Sequence, residues 1–170
     1  LDPEDLREVI GNYQEWVSQA VVRYEGYVAR YMGDGMLVYF GYPGAHENDA
    51  ARAIDAALEI IATLDRSGAG KYREQRARLS VRIGIATGLV VVGDLVREGA
   101  LEEAAVMGET PNVAARLQTL AKPNSVVVTQ ATHDLAGGLF EYSDKGTHKL
   151  KGLPAPVQVW RVLRPSEAES

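Results

Sequence analysis

The chain has no cysteine among its 170 residues. That excludes disulfides, thiolate nucleophiles and cysteine-bound metals. Histidine is scarce too: His46, His133 and His148 stand too far apart for a zinc-site pattern and read as loop or cap residues. There is no basic excess. With 18 Lys and Arg against 23 Asp and Glu, the net charge is −5 and the pI is near 5.2, the opposite of a nucleic-acid-binding surface. No apolar run reaches membrane-spanning length and no signal peptide is visible, so a cytoplasmic chain without a membrane segment is expected. Internal repeats and low-complexity linkers are missing as well.

What is present is a regular alternation of helical and strand patterns, expected to form one domain with a real core. Asp2-Pro3-Glu4 supplies an N-cap, a proline for the first helical position and an acidic first turn. Leu6, Val9, Ile10, Tyr13, Trp16, Val17, Ala20 and Val21 then keep helical spacing to about Arg23. Strands are expected over 27–32 and 36–40. A second helix follows over 47–64, with Ala50, Ala53, Ile54, Ala57, Leu58 and Ile61 inward. Ser67-Gly-Ala-Gly-Lys71 ends it; this is no P-loop, since the first glycine is misplaced and no strand precedes it. Further strands are expected over 79–86 and 89–92, and an exposed polar arm over 95–105. A helix from Pro111, a strand over 125–128, a short helix over 130–136 and strands near Phe140, near His148 and over 157–162 complete the layout. Such alternation predicts an α/β fold, a mixed sheet with helices packed on it. Residues 165–170 read as a tail or linker.

Two segments carry candidate chemistry. In Ala29-Arg-Tyr-Met-Gly-Asp-Gly-Met-Leu-Val-Tyr-Phe40, Asp-Gly between two apolar runs signals a hairpin with the Asp34 carboxylate at its tip. Arg30, four residues earlier, falls on the same face of its strand. A cation and a carboxylate at such a tip suit a metal–polyphosphate ligand; the local alternative is an aspartate serving only the turn. In Met107-Gly-Glu-Thr-Pro-Asn-Val-Ala-Ala-Arg-Leu117, Thr110 is placed to cap a helix and Pro111 to start it. Asn112 and Arg116 then share one face, with Val113, Leu117 and Leu120 on the buried stripe. An amide and a guanidinium beside a positive helix end suit a phosphate-bearing transition state. The alternative is a solvated helix face.

Together these segments, the strand Val81-Arg-Ile-Gly-Ile-Ala-Thr-Gly-Leu-Val-Val-Val-Gly-Asp94 and the closing Leu150-Lys-Gly-Leu-Pro-Ala-Pro-Val-Gln-Val-Trp160 resemble the catalytic domain of class III nucleotidyl cyclases. The resemblance covers nearly the whole chain in order and is greatest to bacterial members similar to soluble, bicarbonate-responsive adenylyl cyclases. It implies a ferredoxin-like sheet and an adenylate cyclase converting ATP to cyclic AMP and pyrophosphate. It also implies two divalent ions, Mg²⁺ or Mn²⁺, and a site shared across a homodimer. Asp34 would be a metal ligand on one subunit, with Asn112 positioning the ribose and Arg116 stabilising the α-phosphoryl charge on the other.

Lys151, or else Lys149, would reach the terminal phosphate. The purine-reading positions match Arg30 and Ala105. Adenylyl cyclases of the family usually carry Lys with Asp or Thr there, and guanylyl cyclases Glu with Cys. A cation at Arg30 leans toward ATP, and Ala105, having no hydrogen-bonding group, predicts weak discrimination against GTP. The family's first strand, with another metal-binding carboxylate, has no counterpart before the first helix. The expectation is therefore a cyclase domain over 1–164 lacking that strand, inactive by itself and belonging to a longer chain with additional domains. Two alternatives stay open: a guanylyl cyclase, and a degenerate domain that dimerises or binds nucleotide without turnover.

Overall fold

A computed structural model describes residues 3–33, 35–66, 80–90, 109–151 and 153–167. The chain divides into two units, Leu1–Val81 and Arg82–Ser170. In the first, α1 (Pro3–Arg23) leads into the strands β1 (Tyr27–Met32) and β2 (Gly35–Tyr39), and then into α2 (Asp49–Arg66). α1 buries Val9, Val17, Ala20 and Val21; Leu6, expected inward, is 43% exposed. The buried stripe of α2 contains Ala53, Ile54 and Ala57 as expected, but continues through Ile60 and Leu64, leaving Leu58 and Ile61 half-buried. α2 starts at Asp49 and not near Glu47, because the Asn48 carbonyl accepts the Arg52 N–H at 2.9 Å. The Asp49 carboxylate turns back to accept the His46 N–H at 2.7 Å. Glu59 of α2 pairs with Arg23 and accepts the Tyr24 hydroxyl at 3.0 Å, fastening the end of α1 to α2.

The β1–β2 hairpin forms antiparallel, with Met32 opposite Gly35. Gly35, expected between the strands, thus belongs to β2, which begins one residue before the expected 36 and ends at Tyr39. Gly33 takes φ 62°, the left-handed value that tight hairpin connections favour and that glycine adopts without steric cost. A register shift between Val28 and Arg30 makes Ala29 a bulge. α1 also grips this hairpin: the Gln14 amide donates to the Gly33 carbonyl at 3.1 Å, and Ser18 Oγ meets Tyr31 Oη at 2.8 Å.

The second unit runs β3 (Arg82–Ile85), α3 (Glu109–Leu120), β4 (Ser125–Thr129), α4 (Gln130–Ala136), a 3-10 turn (Gly137–Leu139), β5 (Phe140–His148) and β6 (Val157–Pro165). Its sheet has the order β3-β4-β6-β5, with β3 and β4 parallel and the other two pairs antiparallel. This is the mixed sheet the alternating pattern predicts. Val126, Val127 and Val128 are all buried, as a continuous β-branched run in an interior strand requires. The separate strands expected near Phe140 and His148 are the two ends of β5. Between them the ladder shifts at Asp144/Thr147. The Asp144 carboxylate there accepts the Gly146 N–H at 2.7 Å and the Gln158 amide at 2.6 Å. Those bonds, the backbone one foremost, hold its pKa below the usual value. The stability this adds is present above the ordinary carboxylate pKa and is lost as pH falls through the depressed one. The strand expected over 79–86 is confined to Arg82–Ile85 among the described residues, and Leu89 and Val90 lie outside any strand. Residues 67–71, 91–92 and 95–105, expected as a helix break, the end of a strand and a polar arm, lie outside the described residues.

α3 lies directly on β3 at Gly84. A Cβ built there would stand 2.7 Å from Leu117 Cβ and 2.8 Å from the Gln118 nitrogen, and closer still to the Ala114 carbonyl oxygen. Two of those three obstacles are backbone, so little can yield. Gly84→Ala is expected to lower the unfolding free energy by at least about 2 kcal/mol in urea titrations, as overpacked cores do, and Gly84→Val to prevent folding. Gly138→Ala, where a Cβ would meet nothing within 4 Å, serves as the control. An unshifted urea midpoint for Gly84→Ala would show that the helix does not sit this close.

Candidate active site

Residues on opposite sides of α3 divide its labour. Leu117 is fully buried, in a cluster with Ala121, Val127, Leu150 and Val159, and Val113 packs against it. The stripe thus runs Val113, Leu117, Ala121 at i, i+4, i+8. Leu120, expected on it, is 39% exposed, since the stripe steps by four from Leu117 to Ala121. On the outer side Asn112 and Arg116 are both exposed, four residues apart, which on a helix makes them neighbours. Among the described residues neither side chain has a hydrogen-bond or ion-pair partner. An exposed amide and an exposed guanidinium on neighbouring turns can donate to a ribose hydroxyl and to phosphoryl oxygens.

Several contacts hold that face in place. Gln118 donates its amide to the Arg82 carbonyl at 3.0 Å. Thr110, expected as the N-cap, lies inside the helix, which begins at Glu109. Its hydroxyl donates to the Leu89 carbonyl at 2.7 Å. Gly88 lies so close that a Cβ there would stand 2.6 Å from Thr110 Oγ1. Thr87 Oγ1 in turn meets the fully buried Thr132 hydroxyl at 2.8 Å. The pattern reading missed these supports. Gly84 could have been found, since an isolated glycine in a strand marks close backbone approach. The threonine contacts have no local signature.

Lys151 is exposed in a turn closed by the Leu153 N–H and the Leu150 carbonyl at 3.1 Å. Leu150 belongs to the same buried cluster as Leu117, and Leu153 packs against it, so the lysine's turn is anchored to the core under α3. Lys149 is exposed beside it. Asn112, Arg116 and the anchored turn of Lys151 therefore belong to the second unit. Arg30 belongs to the first, exposed on β1. Asp34 and Ala105 lie outside the described residues. Among the described residues no group of three or more His, Cys, Asp or Glu side chains could hold a metal ion, and no helix is long and apolar enough to cross a membrane. A concavity of about 710 Å³ in the first unit, lined by Gln14, Ser18, Val22 and Tyr31 among others, contains none of the expected site residues.

A family model described as the adenylate and guanylate cyclase catalytic domain matches residues 2–163. The chain is a class III nucleotidyl cyclase domain. An uncharacterised Rhizobium meliloti protein is 36% identical over 163 residues, covering 96% of this chain and 16% of that protein. Adenylate cyclase 1 of the same organism is 26% identical over 95% of this chain and 24% of its own length. The chain thus spans a quarter or less of these relatives. The crystal structure of the guanylyl cyclase Cya2 superimposes with a TM-score of 0.83 at 26% identity, covering 100% of this chain and 86% of that one. The cyclase fold expected from the motifs is therefore the fold found, with adenylyl and guanylyl members both among its similar proteins.

Since Asn112 and Arg116 are exposed and have no side-chain partner among the described residues, removing them should cost the fold little. The Asn112→Ala/Arg116→Ala double variant is expected to unfold within about 1 kcal/mol of wild type, read from urea midpoints. A larger loss would make them structural residues.

Proposed function

We propose that this domain converts ATP to 3′,5′-cyclic AMP and pyrophosphate. The ribose 3′-oxygen attacks the α-phosphorus, the bond to the β-phosphate breaks, pyrophosphate leaves, and the 3′-hydroxyl proton passes to solvent. The observation that carries the reading is the exposed Asn112–Arg116 face, which has no side-chain partner among the described residues and lies on the helix that packs against Gly84. Asn112 orients the ribose for in-line attack, and Arg116 neutralises the charge that grows on the α-phosphoryl oxygens. Lys151, on its anchored turn, binds the terminal phosphate. Arg30 donates to an acceptor nitrogen of adenine. Ala105 adds no donor or acceptor, so the preference for ATP over GTP is modest.

Asp34 is the proposed ligand for Mg²⁺ or Mn²⁺; among the described residues no group of three or more His, Cys, Asp or Glu side chains could hold the ion. A divalent ion bound there would draw charge from the phosphate oxygens. The donor chemistry suits it: a hard carboxylate, beside Gly33, where nothing lies within 4 Å of a Cβ position to crowd an approaching ligand. The site is shared in a homodimer, Asp34 from one subunit and Asn112 with Arg116 from the other. The domain extends over 1–164 and works as part of a longer chain.

In the full-length protein, Asp34→Ala and Arg116→Ala are each expected to lose turnover, by on the order of a hundredfold or more for the arginine. Mixing the two inactive variants should restore roughly a quarter of wild-type activity, because half the dimers are mixed and half their sites are whole. No recovery, with subunit exchange confirmed, would place each site within one chain. Competition between ATP and GTP tests the base: a strong preference for GTP would favour the guanylyl reading, which the likeness to Cya2 supports.

A further inference from the structure

The two polar residues of the α3 face are held by different contacts. Arg116 lies on the half of α3 that Gly84 admits against β3, between Ala114 and Leu117, and the Gln118–Arg82 bond secures the same half. Asn112 lies in the opening turn. Helix N-terminal N–H groups have no carbonyl four residues back to bond, and Pro111 has no N–H to offer. The described hydrogen bond that fixes this turn from outside is Thr110 Oγ1 to the Leu89 carbonyl, at 2.7 Å. The carbonyl is itself a firm anchor. It belongs to the segment after β3, whose Thr87 hydroxyl meets Thr132, fully buried at the start of α4, at 2.8 Å. Thr132 also reaches Thr129 Oγ1 at 3.3 Å and the Ile85 carbonyl at 3.4 Å. Gly88 lets the loop lie flush against Thr110.

We infer that Thr110 is a positioning residue for Asn112: its hydroxyl ties the opening turn of α3 to the Thr87–Leu89 loop, fixing the amide while leaving Arg116 to the Gly84 contact. The role rests on the proposed ribose-orienting function of Asn112. Without the hydroxyl the first turn frays and the amide loses its aim, whereas the guanidinium one turn on keeps its place. A contact that only stabilised the fold would affect both alike.

Steady-state kinetics in the full-length protein separate these. Thr110→Val keeps the side-chain shape and removes the donor; it is expected to lower kcat about tenfold, as a displaced reacting group does, with little change in thermal midpoint. Thr110→Ser, which keeps the donor, should restore turnover. In an Asn112→Ala background Thr110→Val should cost less than about twofold more, while in an Arg116→Ala background it should cost its full tenfold, since only coupled residues depart from additivity. Equal further losses in the two backgrounds, or an undiminished kcat in Thr110→Val alone, would overturn the positioning role. Full turnover by Asn112→Ala would overturn the assignment of Asn112 itself. A wild-type protein without turnover would overturn the proposed function and this role with it.

Discussion

Gly84 is the constraint on which the second unit depends. Because it has no side chain, β3 and α3 meet backbone to backbone, and the Leu117 side chain is carried into the centre of the apolar cluster. Once Leu117 points inward, the helical repeat leaves no freedom: residues 112 and 116 must point outward. The Val127 and Val159 side chains of the sheet, and Leu150 beyond it, close around the same point. Two exposed polar groups therefore inherit the rigidity of a buried contact that neither touches.

Around that contact lies a set of weaker, directional ties. Threonine hydroxyls and one glutamine amide bond to main-chain carbonyls of β3 and the loop after it. Each is worth about 1 kcal/mol net, far less than the burial of Leu117, yet each fixes a direction that apolar packing leaves loose. The first unit uses the same device, with Gln14 on the Gly33 carbonyl and Ser18 on the Tyr31 hydroxyl. In both units helix side chains hold an adjacent strand or its turn, Gln14 and Gln118 by main-chain carbonyls and Ser18 by the Tyr31 side chain.

Legibility in the sequence followed the range of the forces. Elements set by local periodicity, such as α1 to Arg23, β1 over 27–32, and α4 over 130–136, stand where the pattern puts them. β5 was harder to read, because Ser143-Asp-Lys-Gly-Thr147 has the composition of a loop; its pairing with β6, distant in sequence, makes it a strand, and the Asp144 bonds to Gly146 and Gln158 sit at the irregularity. Leu120 is exposed and Ala121 buried because the stripe through Val113 and Leu117 steps by four and not by three. The face of Asn112 and Arg116 was legible from spacing four. What steadies it was not, since Thr110 and Leu89, or Thr87 and Thr132, are brought together only by the fold.

The irregularity of β5 bears on how copies of this chain can associate. Among the described residues β5 is the outer strand of its sheet, nine residues long. A straight edge of that length offers a row of unpaired N–H and C=O groups to any other chain that passes. The ladder shifts at Glu141/Tyr142 and Asp144/Thr147, and the exposed Asp144 and Lys145, break that row into pieces too short and too charged to template a new strand. Edge-to-edge growth of the sheet into open-ended aggregates is thereby discouraged.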